Sequence, residues 1–274
     1  MYWGAMTAGW LKGCLDRNED PCVASLKFLS SYGLDLCDWS AFALLDMEAG
    51  RRDELAAMLR DHDMRATLAI WPGWLSDDRS ALAQRIDRCL EAIETLPEMM
   101  RTPIFTTGVG STHRFMREPS LEAQMDRLAE VMAPVAAAAA KAGCPLGVEN
   151  HGDYYCSDLA ALCERTPGLG IFLDTGNTFL IGERPLAAVR DAAPYTVGTH
   201  FKDHYASPRF RPLGFEIRGA VPGEGDVGMR EAYRILVENA PDPDNLAMIL
   251  ELDPVEWMTP QEVLTKAVAF LRTL

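Results

Sequence analysis

Four short apolar runs in this 274-residue sequence each lead into a residue that can bind a divalent cation. These residues are Glu149, Asp174, His200 and Glu251. A strand buried on both faces reads as such a run, and a polar side chain surfaces where the strand ends. Three carboxylates and one imidazole form a mostly hard, anionic ligand set, which suits Mn²⁺ or Mg²⁺, with Co²⁺ or Zn²⁺ as alternatives. The pattern therefore predicts one bound divalent metal ion.

The chemistry expected of such an ion follows from the positions that this ligand set leaves open. A substrate carbonyl and its neighbouring hydroxyl could both bind there. The C–H beside the carbonyl would become more acidic, because the ion stabilises the enediolate that forms when the proton leaves. A nearby carboxylate can accept that proton. We therefore expect proton transfer on a small hydroxy-carbonyl compound.

Strand-like and helix-like segments alternate along the chain, which favours a parallel sheet covered by helices. An open doubly wound sheet usually carries a G-x-G-x-x-G loop after its first strand, and Gly4, Gly9 and Gly13 lack that spacing. The length is close to the roughly 250 residues of one (β/α)₈ barrel. We predict an α/β fold, a single TIM barrel domain over residues 1–274. The strands predicted before the four ligand runs are residues 2–6, 34–37, 65–70 and 103–106.

One long segment without a clear pattern spans about residues 203–228 and is rich in proline and glycine. Long loops in compact domains are commonly functional, and barrel enzymes keep their active sites at the carboxyl ends of the strands. We expect an active-site loop. Arg209, Arg211 and Arg218 lie in it, and arginine binds carboxylate or phosphate through paired hydrogen bonds. At least one is expected to contact an anionic substrate group, with solvated surface arginines as the alternative.

Composition and charge limit the classes of molecule that the protein is expected to bind. A formal net charge of -14 repels phosphate backbones, so we expect no nucleic-acid partner. No apolar stretch reaches the roughly 18 residues of a membrane span, and the first residues lack a signal-peptide pattern. The seven scattered cysteines contain no Cys-x-x-Cys pair and suggest reduced thiols. We expect a cytoplasmic protein that acts on a small molecule, either alone or as a homo-oligomer.

Several segments carry a family resemblance: residues 147–152 (GVENHG), 172–177 (FLDTGN), 200–203 (HFKD) and 221–225 (VPGEG). They resemble the xylose isomerase-like TIM barrel superfamily, and more narrowly its sugar phosphate isomerase/epimerase group. That group includes ketose 3-epimerases, hydroxypyruvate isomerase and inosose dehydratase. The resemblance implies that Glu149, Asp174, His200 and Glu251, at the ends of strands five to eight, bind one Mn²⁺, Mg²⁺ or Co²⁺. In the epimerase branch, the resemblance makes Glu149 and Glu251 the acid and base.

Further residues are candidates for substrate binding. Asn177 stands where several epimerases have a substrate-binding histidine, and asparagine can orient a hydroxyl but cannot shuttle protons. His151 follows a glutamate ligand by two residues, so an extended strand end would place both on one side; a packed histidine is the alternative. Lys202 either holds a substrate oxygen or closes the barrel rim in an ion pair. Trp71 follows the third strand, where its flat face could pack on sugar C–H groups.

The combined prediction is a divalent-metal-dependent isomerase or epimerase of a small sugar or sugar-derived hydroxy-keto compound, acting through an enediolate. A metal-dependent carbohydrate lyase is the alternative, since the same enediolate can expel hydroxide or arise by loss of CO₂. Such a decarboxylase or dehydratase would act on a sugar-derived oxo acid, which suits Asn177 and the loop arginines. A non-catalytic sugar-binding module would not need three carboxylates on a metal. An endonuclease of this superfamily would need more histidines than the five present.

Overall fold

A computed structural model describes residues 1–210 and 213–274. Eight of its strands form a closed parallel barrel, and each pairs with the next barrel strand along the chain until the last pairs with the first. This confirms the predicted (β/α)₈ TIM barrel. The two remaining strands, β8 and β9, form a separate antiparallel hairpin. The strands are β1 (Tyr2–Ala5), β2 (Leu36–Ser40), β3 (Arg65–Ala69), β4 (Phe105–Thr107), β5 (Leu146–Glu149), β6 (Leu169–Asp174), β7 (Thr196–Phe201), β8 (His204–Phe210), β9 (Leu213–Gly219) and β10 (Ala247–Leu250).

Helices cover the outer face of the barrel, and several begin at a side chain that caps the first turn. Asp20, Asp78, Ser120 and Thr259 each accept a hydrogen bond from a backbone N–H of the helix that follows. None of the helices in the described ranges is both long and apolar enough to cross a membrane. The helices are α1 (Pro21–Ser31), α2 (Ala41–Leu45), α3 (Ala49–Asp61), α4 (Arg79–Thr95), α5 (Pro97–Met100), α6 (Leu121–Lys141), α7 (Cys156–Arg165), α8 (Asn177–Leu180), α9 (Pro185–Ala192), α10 (Met229–Asn239) and α11 (Pro260–Leu271).

The second strand lies further along the chain than we predicted. All five residues of β2 pair with β3, so the strand continues beyond Cys37. Because strand side chains alternate, Asp38 points into the barrel while Trp39 points out and donates a hydrogen bond to Ser25 of α1. The predicted range of residues 34–37 stopped directly before Asp38, the second charged residue of this segment after Asp35. A carboxylate inside the barrel was therefore missed.

The segment at residues 203–228 is more regular than we predicted, because β8 and β9 occupy its first part. A glycine-rich turn follows the hairpin. The backbone N–H groups of Gly223, Gly225 and Val227 all donate to the carboxylate of Asp203, directly before β8. Asp203 therefore fixes the turn that carries the VPGEG motif.

The inside of the barrel is filled by a small apolar cluster. Leu36, Ile104, Phe172, Ala247 and Ile249 are all buried there, and they come from β2, β6 and β10 and the residue just before β4. Large branched and aromatic side chains commonly fill such an interior, so that the barrel is a packed core and not a pore. The site described next lies against this cluster.

Candidate metal centre and active site

The four predicted ligands lie together at the carboxyl ends of neighbouring strands. Glu149 and Asp174 end β5 and β6, His200 lies near the end of β7, and Glu251 directly follows β10. One ligand atom from each residue lies within 4.8 Å of all the others. The rings of Phe172 and His200 are 4.6 Å apart, so the apolar cluster forms a floor beneath this ligand ring.

His200 contacts two of the three carboxylates of the ligand ring. Its Nδ1 lies 2.9 Å from Glu149 Oε1 and 3.1 Å from Glu251 Oε2. Burial disfavours a charged imidazole, but the carboxylates of Glu149, Glu251 and Asp174 outweigh it and raise the pKa of His200 to about 10. Burial likewise acts to raise the pKa of Glu149, and the charge of His200 reverses this and lowers it. The protonated imidazole therefore balances part of the carboxylate charge.

Asp174 is fixed by several hydrogen bonds, which use only one of its two carboxylate oxygens. Its Oδ1 accepts hydrogen bonds from the backbone N–H groups of Gly176 at 2.8 Å and Asn177 at 2.9 Å. The side-chain amide of Asn150 donates to the backbone carbonyl oxygen of Asp174 at 2.9 Å and accepts from its backbone N–H at 2.7 Å. Burial raises the pKa of Asp174 well above its usual range. Its Oδ2 is buried and finds no hydrogen-bond partner among the described residues.

The unpartnered Oδ2 of Asp174 bears on whether the ligand ring fits a divalent cation. A buried carboxylate oxygen without a partner is costly, and a cation among the four ligand atoms would satisfy it. The donor set of three carboxylates and one imidazole also suits a hard or borderline ion. The residues present therefore fit one divalent metal ion.

Lys202 closes one side of the ligand ring. Its Nζ donates to Glu251 Oε1 at 2.7 Å and lies 3.5 Å from Asp253 and 3.8 Å from Asp174 Oδ2. Burial disfavours the ammonium charge, but Asp174 and Glu251 outweigh it and raise the pKa of Lys202. The ion-pair interpretation of Lys202 therefore agrees with the geometry, and a substrate contact stays a prediction.

Asp38 is a further carboxylate of the barrel interior, and sequence reasoning did not identify it. Thr67 donates a hydrogen bond to its Oδ1 at 3.0 Å. Burial raises the pKa of Asp38, and the charge of His200 partly opposes this. Asp38 is the third of the five residues of β2, and Asp35 interrupts the apolar residues before it, so the apolar run that precedes each of the four predicted ligands is missing here.

An aromatic wall lies near the Glu149 side of the ring. The rings of Trp71 and His151 meet edge to face at 6.0 Å, and Trp71 keeps 47% of its surface exposed. A Cβ at Gly108 would lie 2.2 Å from the indole of Trp71, so only glycine leaves room for it there. The substrate-binding roles of Trp71 and His151 stay predictions.

The predicted arginines are engaged in ion pairs of the hairpin and its surroundings. Arg209 Nε lies 2.9 Å from Glu216, and Arg218 Nη1 lies 2.6 Å from Glu256. Arg211 lies outside the described residues. Their contact with an anionic substrate group stays a prediction, as does the role of Asn177, which is buried beside Asp174.

A cavity of about 500 Å³ separates the hairpin from the loop after β10. Lys202 forms part of its wall, together with Tyr205, Arg218 and Pro254. Lys202 therefore stands between this cavity and Glu251.

Residues 26–274 match the sequence profile of the xylose isomerase-like TIM barrel family. No curated protein matches the chain. A D-psicose 3-epimerase of Clostridium cellulolyticum H10, solved with D-tagatose, has a TM-score of 0.73 and 15% identity, covering 100% of this chain and 98% of that one. A xylose isomerase-like TIM barrel protein of Mycobacterium smegmatis, solved with magnesium, has a TM-score of 0.70 and 17% identity, with 100% and 98% covered. A probable 3-DHS dehydratase, AsbF, of Bacillus anthracis has a TM-score of 0.70 and 15% identity, with 99% of each chain covered.

Proposed function

Because the chain belongs to the xylose isomerase-like TIM barrel family, we propose that it is a divalent-metal-dependent isomerase or epimerase of a small sugar or a related hydroxy-keto compound. The observation that carries this proposal is the convergence of Glu149, Asp174, His200 and Glu251 within 4.8 Å. The similar D-psicose 3-epimerase and the magnesium-bound barrel support it.

Glu149, Asp174, His200 and Glu251 would hold the metal ion. When bound, the ion would supply positive charge that makes the C–H beside a substrate carbonyl acidic, by stabilising the enediolate. Mn²⁺ and Mg²⁺ suit the carboxylate-rich set best, and Co²⁺ or Zn²⁺ are alternatives.

We propose that Glu149 and Glu251 move the protons. They come from strands on either side of β6 and β7, and both contact Nδ1 of His200. One carboxylate takes the proton from the substrate carbon, and the other returns a proton to the opposite face. Lys202 donates to Oε1 of Glu251, and the Oε2 of Glu251 faces His200 in the ligand ring.

Other residues shape the site around the reacting carbon. Phe172 closes the floor and excludes water from below. Trp71 offers an exposed aromatic face for the C–H groups of a sugar. Asp38, on the β2 side, can accept a hydrogen bond from a substrate hydroxyl.

A lyase remains the second candidate, and Asn177 is the observation that favours it. Asn177 cannot carry a proton, so an epimerase would have to rely on the two glutamates alone. The similar dehydratase from Bacillus anthracis has the same fold. However, an oxo acid calls for a cation to bind its carboxylate, and Arg209 and Arg218 already pair with glutamates.

The experiment is to incubate the Mn²⁺-loaded protein with a panel of ketoses and aldoses in D₂O. We expect deuterium at the carbon next to the carbonyl, together with the isomeric sugar. The variants Glu149→Gln and Glu251→Gln should lose about 10²- to 10⁴-fold of the exchange rate. Glu130→Gln, an exposed residue of α6 paired with Arg127, should keep the wild-type rate.

If Glu251→Gln bound Mn²⁺ normally and exchanged deuterium at the full rate, the acid–base role would be excluded. Release of water or CO₂ from sugar-derived oxo acids, without an isomeric product from any sugar, would replace the isomerase with the lyase.

A further inference from the structure

His204 is a buried histidine that neither the ligand ring nor the proposed proton transfer uses. It is the first residue of β8 and only 3% exposed. Its Nδ1 lies 3.2 Å from the carbonyl oxygen of Gly176, and its Nε2 lies 2.7 Å from Asp253 Oδ2. A backbone carbonyl and a carboxylate can only accept hydrogen bonds. The imidazole therefore has a hydrogen-bond acceptor at each end and joins the loops that follow β6, β7 and β10.

Asp253 carries this connection towards the ligand ring. The oxygen that accepts from His204 also lies 3.5 Å from Lys202 Nζ, which in turn donates to Glu251 at 2.7 Å. His204, Asp253, Lys202 and Glu251 therefore form a continuous series of polar contacts from the base of the hairpin to the ring.

The space around this series leaves little freedom. A Cβ at Gly176 would lie 2.8 Å from Lys202 Cγ and 3.0 Å from His204 Nδ1. Gly176 therefore lets both side chains approach the loop that follows Asp174.

The position of the Lys202 ammonium matters because its stem is flexible and a second carboxylate is near. Asp174 Oδ2, buried without a hydrogen-bond partner among the described residues, lies only 3.8 Å from Nζ. A lysine released by Asp253 could move to that oxygen and leave Glu251. An ammonium has three donors, and the contacts with Glu251 and Asp253 leave one for a substrate oxygen.

We infer that His204, acting through Asp253, is a positioning residue that holds the Lys202 ammonium on Glu251 and so sets where a substrate oxygen binds. The substrate part of this inference rests on the proposed function. The positioning itself is a property of the protein alone and can be measured without a substrate.

The first test labels the folded protein with acetic anhydride, digests it, and measures the labelling rate of each lysine by mass spectrometry of the peptides. His204→Phe and Asp253→Asn should each raise the labelling rate of Lys202 several-fold, while the exposed Lys27 and Lys266 keep theirs as internal references. His62→Phe, the same substitution at a surface histidine bonded to Ser30, should leave Lys202 unchanged. Unchanged labelling of Lys202 in the folded His204→Phe and Asp253→Asn proteins would overturn the inference.

The second test is a double-mutant cycle on kcat/KM with the sugar found in the D₂O assay. His204→Phe should lower kcat/KM about 10-fold in the wild-type protein and less than about 2-fold in the Lys202→Met background, because coupled residues are not additive. Equal losses in both backgrounds would mean that His204 acts on the fold and not through Lys202. If no sugar reacts but the labelling changes as expected, the proposed function fails and the positioning role stands.

Discussion

At the scale of single residues, the balance of charge within the ligand ring governs what the ring can bind. Three carboxylates, two of them buried, surround one imidazole, and their charge raises the pKa of His200 to about 10. The imidazolium and Lys202 offset the carboxylates while no metal is bound. A divalent cation would take over that task, and the proton on His200 must then leave.

Metal binding should therefore release protons. Because His200 is protonated below a pKa of about 10, a metal that uses its nitrogen must displace at least one proton at neutral pH. The affinity for Mn²⁺ should then rise by about tenfold per pH unit between about pH 6 and pH 8. Calorimetric titrations in two buffers of different ionisation enthalpy would measure the protons released. An affinity that does not change with pH would contradict the account.

Sequence reasoning singled out the four residues that cluster in the fold, because each follows an apolar run, a signal carried by local pattern alone. It could not show how other side chains pair. Arg209 and Arg218 looked available for an anion, yet their partners Glu216 and Glu256 are set by the hairpin register and the loop after β10. His204 looked ordinary because Asp253 and Gly176 reach it only in the folded barrel.

At the scale of secondary-structure elements, the loops at the carboxyl ends of the strands are held by specific buried contacts. The alternation of apolar strand-like runs with helix-like segments predicted the barrel strands well, because these strands are apolar on both faces. It failed for the hairpin, where Pro208 and Gly214 within the strands hide the pattern. It also ended β2 too early, since Asp38 points inward among apolar neighbours.

The VPGEG turn should depend on the absence of a side chain at Gly225. A Cβ there would lie 2.4 Å from Asp203 Oδ1 and 2.6 Å from the carbonyl oxygen of His204. Gly225→Ala should destabilise the fold by about 1–3 kcal/mol. Gly50→Ala, in open space in the first turn of α3, should instead stabilise it by about 0.5–1 kcal/mol. Urea unfolding of both variants measures this, and equal effects would refute the steric role.

Glu183 links the loop after α8 to the start of α7, because its Oε1 accepts the backbone N–H of Cys156 at 3.0 Å. Burial raises the pKa of Glu183 from 4.5 to about 7. The folded protein therefore holds this proton more tightly than the unfolded chain. The resulting stabilisation is complete below pH 4.5 and is lost as the pH rises through about 7.

Glu183→Gln should remove this pH dependence while keeping an oxygen for Cys156. Relative to wild type, the variant should gain about 1–2 kcal/mol of stability at pH 8, a figure reduced for partial exposure. At pH 4.5 the two proteins should be nearly equal. Urea unfolding at both pH values gives the comparison, and a constant difference between the proteins would argue against titration of Glu183.

At the scale of the whole molecule, barrel closure gives the ligands their common face. β10 pairs with β1 on one side and β7 on the other, so Glu251 returns to the ring although it is far along the chain from His200. The order of the elements predicted this closure. The TIM barrel and its family are confirmed for this chain. The substrate depends on loop side chains, whose arrangement the sequence pattern does not predict.

The most direct test of the account is a calorimetric titration of the metal-free protein with Mn²⁺. We predict one ion per chain. Changing a residue that only surrounds the ligands typically lowers metal affinity by roughly 10- to 100-fold. We expect a larger loss of Mn²⁺ affinity in each of the four ligand variants, Glu149→Gln, Asp174→Asn, His200→Gln and Glu251→Gln. Asp38→Asn, which changes a carboxylate of the same interior outside the ring, should bind within a few-fold of wild type. Undiminished binding by the four ring variants, or its loss in Asp38→Asn alone, would contradict the metal centre.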